Sequence, residues 1–238
     1  MKGMILAAGL GTRLKPWTDH HPKALAVVNG KTLLQRNIEY LQRAGIYEVL
    51  VNVHHFADQI IKEVQINKGW GSVVSISDET SEVLETGGGL KKAAWYFKEE
   101  EDFVVMNADI LTDLSLQQMI VEHRQQKPLA TLAVSHRNSS RYFLFDANMK
   151  LCGWKNVNTG QERIVRSNAL LTPFAFSGIH VISSSIFQLM WQEGKFSMID
   201  VYLSLAEKHN IKGYDHTGSA LIDVGKPENI TKAEALFI

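Results

Sequence analysis

Short apolar runs alternate with longer stretches in which apolar positions recur at helical spacing. Met4-Ile5-Leu6-Ala7-Ala8 reads as a buried strand that ends in a glycine-rich turn. Positions 32–44 carry Leu33, Leu34, Ile38, Leu41 and Ala44 on one helical face, and Gly45 stops that helix. Strands are then expected at 48–53, 72–77, 103–107 and 129–135, and helices at 56–66, 89–97 and 116–124. The helix at 89–97 is read as starting at a glycine cluster. Regular alternation of this kind predicts parallel βαβ units, with helices covering both faces of the sheet.

The pattern loosens beyond position 135. Segments 142–145 and 151–155 read as a short β pair, and the polar stretch 156–172 as a long loop or lid. A strand at 174–182, a helix at 199–208, a strand at 220–224 and a helix at 227–237 follow, the last with Pro227 near its start. No repeat or low-complexity linker interrupts the chain. The expectation is therefore an α/β fold in one domain, 1–238: three layers, Rossmann-like, with a mostly parallel sheet between helices. Ligands bind such sheets at the carboxyl ends of the strands. Segments 9–13, 107–109 and 87–89 all lie at such ends or at helix starts.

Composition narrows the partners. Of 238 residues, 45% are hydrophobic and 21% charged, and 25 basic residues balance 25 acidic ones. No basic run offers the face a nucleic acid needs. The one cysteine, Cys152, excludes an internal disulfide and suits a reducing compartment. It reads as a packed thiol with no chemical role. The apolar run 3–8 is too short for a secretory leader, and no later run is long enough to span a bilayer. A soluble cytoplasmic protein is expected.

The chemistry starts at Gly9-Leu10-Gly11-Thr12-Arg13-Leu14. Glycines let backbone amides approach a phosphate, and an arginine offers it a planar fork of donors. Pro22-Lys23 adds a second cation. Glycine-rich turns after strands are common, so the turn alone is weak. A dinucleotide fingerprint would need glycine where Leu14 stands, and an acid where the second strand ends in Asn52-Val53-His54. The Gly-Lys-Ser/Thr of a P-loop is also absent.

The turn resembles the signature of the sugar nucleotidyltransferases, L-A-A-G-x-G-T-R-L/M, a spacer, then P-K. This chain reads Leu6-Ala7-Ala8-Gly9-Leu10-Gly11-Thr12-Arg13-Leu14, then Pro22-Lys23. The likeness continues through Leu84-Glu85-Thr86-Gly87-Gly88-Gly89, Met106-Asn107-Ala108-Asp109, Phe176-Ser177-Gly178-Ile179 and Asp223-Val224-Gly225. At 108 the family usually has glycine, and alanine is the smallest replacement.

The resemblance implies roles for these residues. Ala7, Ala8, Gly9, Gly11 and Thr12 would bind the nucleotide, as would Glu85, Thr86, Gly87 and Gly88 against the base. Arg13 and Lys23 would be the catalytic cations, and Asp109 with Asp223 would hold Mg²⁺. Asn107 and Gly178 would touch the sugar substrate. Lys155, in Gly153-Trp154-Lys155-Asn156, stands where many relatives carry a lysine for the sugar phosphate, although the motif around it is degraded. Positions 1–135 would form the nucleotide-binding part and 136–238 the sugar-binding part.

The reaction implied is attack of a sugar 1-phosphate on a nucleoside triphosphate, releasing pyrophosphate. Longer relatives add a β-helix domain, which is not expected here. The short form looks most like members that transfer uridylyl from UTP to N-acetylmuramate 1-phosphate in cell-wall sugar recycling. Guanylyl transfer to mannose or heptose 1-phosphate is the alternative. Muramate carries a lactyl carboxylate, for which Arg141, Arg163 and Arg166 are candidates; they read equally well as solvated loop arginines. An inactive binding subunit of the same fold is disfavoured because Arg13, Lys23, Asp109 and Asp223 are all present.

Overall fold

A computed structural model describes residues 1–167 and 170–237. The chain runs β1 (Gly3–Leu6), a small hairpin of β2 (Val27–Val28) and β3 (Lys31–Thr32), α1 (Leu33–Arg43), β4 (Glu48–Val53), α2 (Ala57–Ile66), β5 (Val73–Asp78), α3 (Glu85–Lys92), β6 (Asp102–Asn107), β7 (Ile110–Thr112) and α4 (Leu116–Gln126). It continues with β8 (Ala130–Ser135), β9 (Arg141–Phe145), β10 (Leu151–Asn156), β11 (Gln161–Ile164), β12 (Thr172–Ser183), α5 (Met198–Ala206), β13 (Ile211–Asp215), β14 (Leu221–Asp223) and α6 (Pro227–Leu236).

The central sheet is mixed and mostly parallel. Strands β5, β4, β1 and β6 lie side by side and run the same way. β12 joins β6 antiparallel, β8 joins the other edge of β12, and β13 pairs parallel with β8. The first residues of β12 also carry an antiparallel arm of β9, β10 and β11. Burial on both faces explains the continuous apolar strands: Phe103, Val104, Val105 and Met106 of β6 are at most 1% exposed. Phe103 and Val105 face a core with Phe97 and Tyr202, on the side of α3 and α5. Val104 and Met106 face α1, α2 and α4 through Leu34, Ile60 and Met119. A third cluster packs Leu14, Leu111, Val224 and Ala233 together, which ties the turn after β1 to the C-terminal elements.

Several boundaries differ from the sequence pattern. The helix expected at 89–97 begins at Glu85, and the three glycines lie inside it. Glycine costs about 1 kcal/mol against alanine in a helix. Here a Cβ on Gly87 would strike the Phe196 ring, and one on Gly88 the carbonyl of Gly194. Close packing, not flexibility, calls for these glycines. Part of the expected loop 156–172 is strand β11, paired with β10 from Gly153↔Ile164 to Asn156↔Gln161. Positions 168 and 169 of that loop lie outside the described residues. β13 is absent from the pattern because only Ile211 among its residues is a buried aliphatic. Cys152 is buried and unbonded to another cysteine. Among the described residues no helix is long and apolar enough to cross a membrane.

The core also holds a polar pair. The hydroxyl of Tyr202 on α5 and Nδ1 of His180 on β12 share a hydrogen bond of 2.6 Å. Burial pushes the His180 imidazole down to about 3 from 6.5, so it stays neutral. The unfolded chain takes up this proton near pH 6.5 and the native chain does not until about 3. Stability therefore falls as pH drops below 6.5, by about 1.4 kcal/mol per unit for one such proton. Urea unfolding at pH 7 and pH 5 should show this loss, and His180→Leu should show a smaller one.

Candidate active site

Three strand ends and one mini-sheet build the site. The turn after β1 depends on Gly11, which adopts φ +62. A Cβ there would stand 3.0 Å from both the Lys23 Cβ and the Thr18 Cγ2. Thr18 donates its hydroxyl to the Gly11 carbonyl at 2.9 Å, and the amide of Leu14 donates to the same oxygen at 2.9 Å. Leu14 then anchors the turn in the third core cluster. Thr12 and Arg13 are left exposed on a 3-10 turn at its outer side. Lys23, after Pro22, comes in against Gly11.

The two aspartates, far apart in sequence, are brought together by pairing of β7 with β14. Asp223 lies opposite Ile110, and the amide of Val224 donates to the Asp109 carbonyl at 2.8 Å. The Lys23 ammonium forms an ion pair with Asp109 and lies 3.6 Å from Asp223 Oδ1. Arg13 Nη2 donates to Asp223 Oδ2 at 3.3 Å. A Cβ on Gly225 would be 2.6 Å from Asp223 Oδ1 and 2.7 Å from Arg13 Nη2, so only glycine leaves this contact room. Two cations and two carboxylates thus meet at one point, as a site for a phosphate chain and a cation requires.

A cavity of about 470 Å³ opens beside that point, within the usual range of small-ligand sites. Ala7, Ala8 and Gly9 line one wall, Glu85 and Thr86 another, and Lys23, Asn107, Asp109 and Arg141 the rest. Glu85 holds φ +58, left-handed for a residue with a side chain, at the start of α3. The Thr86 hydroxyl accepts from the Met198 amide at 3.0 Å and ties this wall to α5.

Other candidates stand apart from the cavity. The amides of Gly87 and Gly88 donate to the Phe196 carbonyl at 2.9 and 3.2 Å, so they support the wall from behind. Gly178, φ +75 at an irregularity of β12, leaves room for the Asn107 side chain, whose Nδ2 a Cβ would approach to 2.8 Å. Lys155 does not line the cavity; its ammonium lies 5.9 Å from the centre of the Tyr142 ring. Arg163 is bonded to Asp200 at 2.5 Å, and Arg166 donates to the carbonyls of Ala206 and His209 at the end of α5. Of the three arginines considered for a carboxylate, only Arg141 reaches the cavity, and it has no ion pair among the described residues. The sequence pattern does not single out Asn52, which also lines the wall. The signal was present as a polar residue within an otherwise apolar strand.

A glycine-rich turn, paired carboxylates and a cavity over parallel strand ends make up the site. The chain belongs to the nucleotidyl transferase family, whose model matches residues 2–237. It is 29% identical, over 98% of its length, to the N-acetylmuramate alpha-1-phosphate uridylyltransferase of Caulobacter vibrioides, 95% of which is covered. It is 26% identical over its whole length to the mannose-1-phosphate guanylyltransferase catalytic subunit beta of Drosophila pseudoobscura pseudoobscura, spanning 62% of that protein. Among solved structures, HddC from Yersinia pseudotuberculosis complexed with GMP-PN matches with TM-score 0.80 at 26% identity, covering 100% of this chain and 99% of that one.

Gly11→Ala tests the turn. Forcing a side chain to φ +62 against Lys23 should cost about 1–2 kcal/mol in thermal or urea unfolding.

Proposed function

We propose that this nucleotidyltransferase joins uridylyl from UTP to N-acetylmuramate 1-phosphate and releases pyrophosphate. The observation that carries the reaction is the meeting of Arg13, Lys23, Asp109 and Asp223 beside the cavity. The sugar is favoured by similarity over nearly the full length of the Caulobacter relative and by the Arg141 guanidinium in the cavity wall, which has no ion pair among the described residues. A lactyl carboxylate suits that guanidinium. Guanylyl transfer to mannose 1-phosphate is the second reading, supported by the guanylyltransferase relative and the GMP-PN complex.

In this reading Ala7, Ala8, Gly9, Glu85 and Thr86 hold the nucleoside. Gly11, Thr12, Arg13 and Lys23 take the triphosphate. A sugar 1-phosphate oxygen attacks the α-phosphorus, a new P–O bond forms, and the bond to the leaving pyrophosphate breaks. No general base is needed, because the attacking phosphate is already ionised at neutral pH. Arg13 and Lys23 stabilise the charge that builds up on the transferred group and on pyrophosphate. Arg141 and Asn107 orient the sugar phosphate.

Asp109 and Asp223 would hold Mg²⁺. Their oxygens are hard donors, and among the described residues the buried Oδ1 of Asp223 has no hydrogen-bond partner. When bound, the ion supplies charge neutralisation at the phosphates. The protein is placed in the cytoplasm in this reading, where both substrates would be met.

A pyrophosphate-release screen of the four NTPs against a panel of sugar 1-phosphates with Mg²⁺ tests the proposal. UTP with N-acetylmuramate 1-phosphate should give the highest kcat/KM. A preference for GTP with mannose or heptose phosphate would overturn the sugar assignment. Lys23→Ala should lower turnover by about 10²–10³ and also lower the melting temperature, because it leaves Asp109 and Asp223 facing each other. Arg141→Ala should raise KM for the sugar phosphate about tenfold, whereas Lys155→Ala should leave it within about twofold.

A further inference from the structure

From Ala7 and Asn52 in the cavity wall a buried polar relay, which the phosphate chemistry does not use, runs back to Glu79 behind it. The amide of Ala7 donates to Asn52 Oδ1 at 2.7 Å, and Asn52 Nδ2 donates to Glu79 Oε1 at 2.7 Å. Asn52 is 2% exposed and Glu79 not at all. The three residues come from the ends of β1, β4 and β5, and the connection from β5 leads through Val83 to Glu85 and Thr86 in the opposite wall. The Glu79 amide donates to the Val53 carbonyl and its carbonyl accepts from Glu82, which fixes the start of that connection.

A buried carboxyl with no cation bonded to it is costly unless it positions something. Burial raises the Glu79 pKa above the ordinary carboxylate range, against the bond from Asn52. Gly89 is part of the arrangement. A Cβ there would stand 2.7 Å from Glu79 Oε1 and 3.1 Å from Asn52 Nδ2. An asparagine amide can turn either way round. With Glu79 as its acceptor, Nδ2 is held toward Glu79 and Oδ1 toward Ala7.

We propose that Asn52 and Glu79 are positioning residues that set the nucleoside wall, holding Ala7 and the 80–86 connection at the spacing a pyrimidine nucleoside needs. They act through Ala7, and the phosphate cluster at Lys23 is independent of them. The proposal rests on the nucleotide reading above and is tested by binding, apart from the identity of the sugar.

Calorimetric titration with UTP and, separately, with inorganic tripolyphosphate divides the two ends of the site. Asn52→Leu should weaken UTP binding about tenfold, the worth of one buried hydrogen bond, and change tripolyphosphate binding less than twofold. Gly89→Ala should do the same. It wedges the pair apart from a position outside the cavity while gaining helix propensity, and a thermal melt of each variant establishes that it is folded before titration. Glu79→Gln retains an acceptor for Asn52 and should keep UTP affinity within about threefold. Unchanged UTP affinity in folded Asn52→Leu and Gly89→Ala would overturn the proposal. So would parallel loss of both ligands, which would make the pair a support of the whole fold. A wild-type protein that binds tripolyphosphate but no NTP would overturn the nucleotide reading itself.

Discussion

The Lys23 ammonium stands between the carboxylates of Asp109 and Asp223, and the rest of the structure is arranged around that contact. Without a cation between them, two carboxylates at such range repel, and the pairing of β7 with β14 would be opposed. With Lys23 and Arg13 present, two positive charges face two negative ones. Lys23 is held there by its packing against Gly11, and Gly11 by its bonds to Thr18 and Leu14. The turn after the first strand, the end of the sixth and the C-terminal strand are thereby joined at one place.

That junction explains why the C-terminal elements matter to an N-terminal motif. Val224 and Ala233 share a core with Leu14 and Leu111, so α6 packs beneath the turn. The parallel strands supply one wall of the cavity, and the antiparallel arm on β12 supplies Arg141 at the start of β9. Division of labour follows from the two kinds of pairing. Parallel strand ends converge on the cavity, and the arm brings Arg141 into its wall.

Much of this is legible in the residues because motifs and periodicity report local rules. The alternation of apolar strands and amphipathic helices reflects burial on both sheet faces, and Arg13, Lys23, Asp109 and Asp223 carry charge in a recognisable order. The three glycines at the start of α3 mislead because glycine signals flexibility as readily as close packing. Their reason, Phe196 and Glu79 pressed against the helix, lies far away in the chain. Arg163 and Arg166 look like ligand cations until Asp200 and the end of α5 claim them. Strands β11 and β13 are nearly invisible because β11 is mostly exposed and β13 has only Ile211 as a buried aliphatic, so pairing with their partners makes them strands. Asn52 shows the converse, a polar residue in an apolar strand whose meaning appears only with Ala7 and Glu79 beside it.

A double-mutant cycle on Asp109→Asn and Asp223→Asn, read as pyrophosphate release, tests the central claim that these two carboxylates and Lys23 work as one unit. Groups that act together are strongly non-additive. The double variant should be scarcely slower than the worse single variant. Losses that multiply, as for independent sites, would contradict the account.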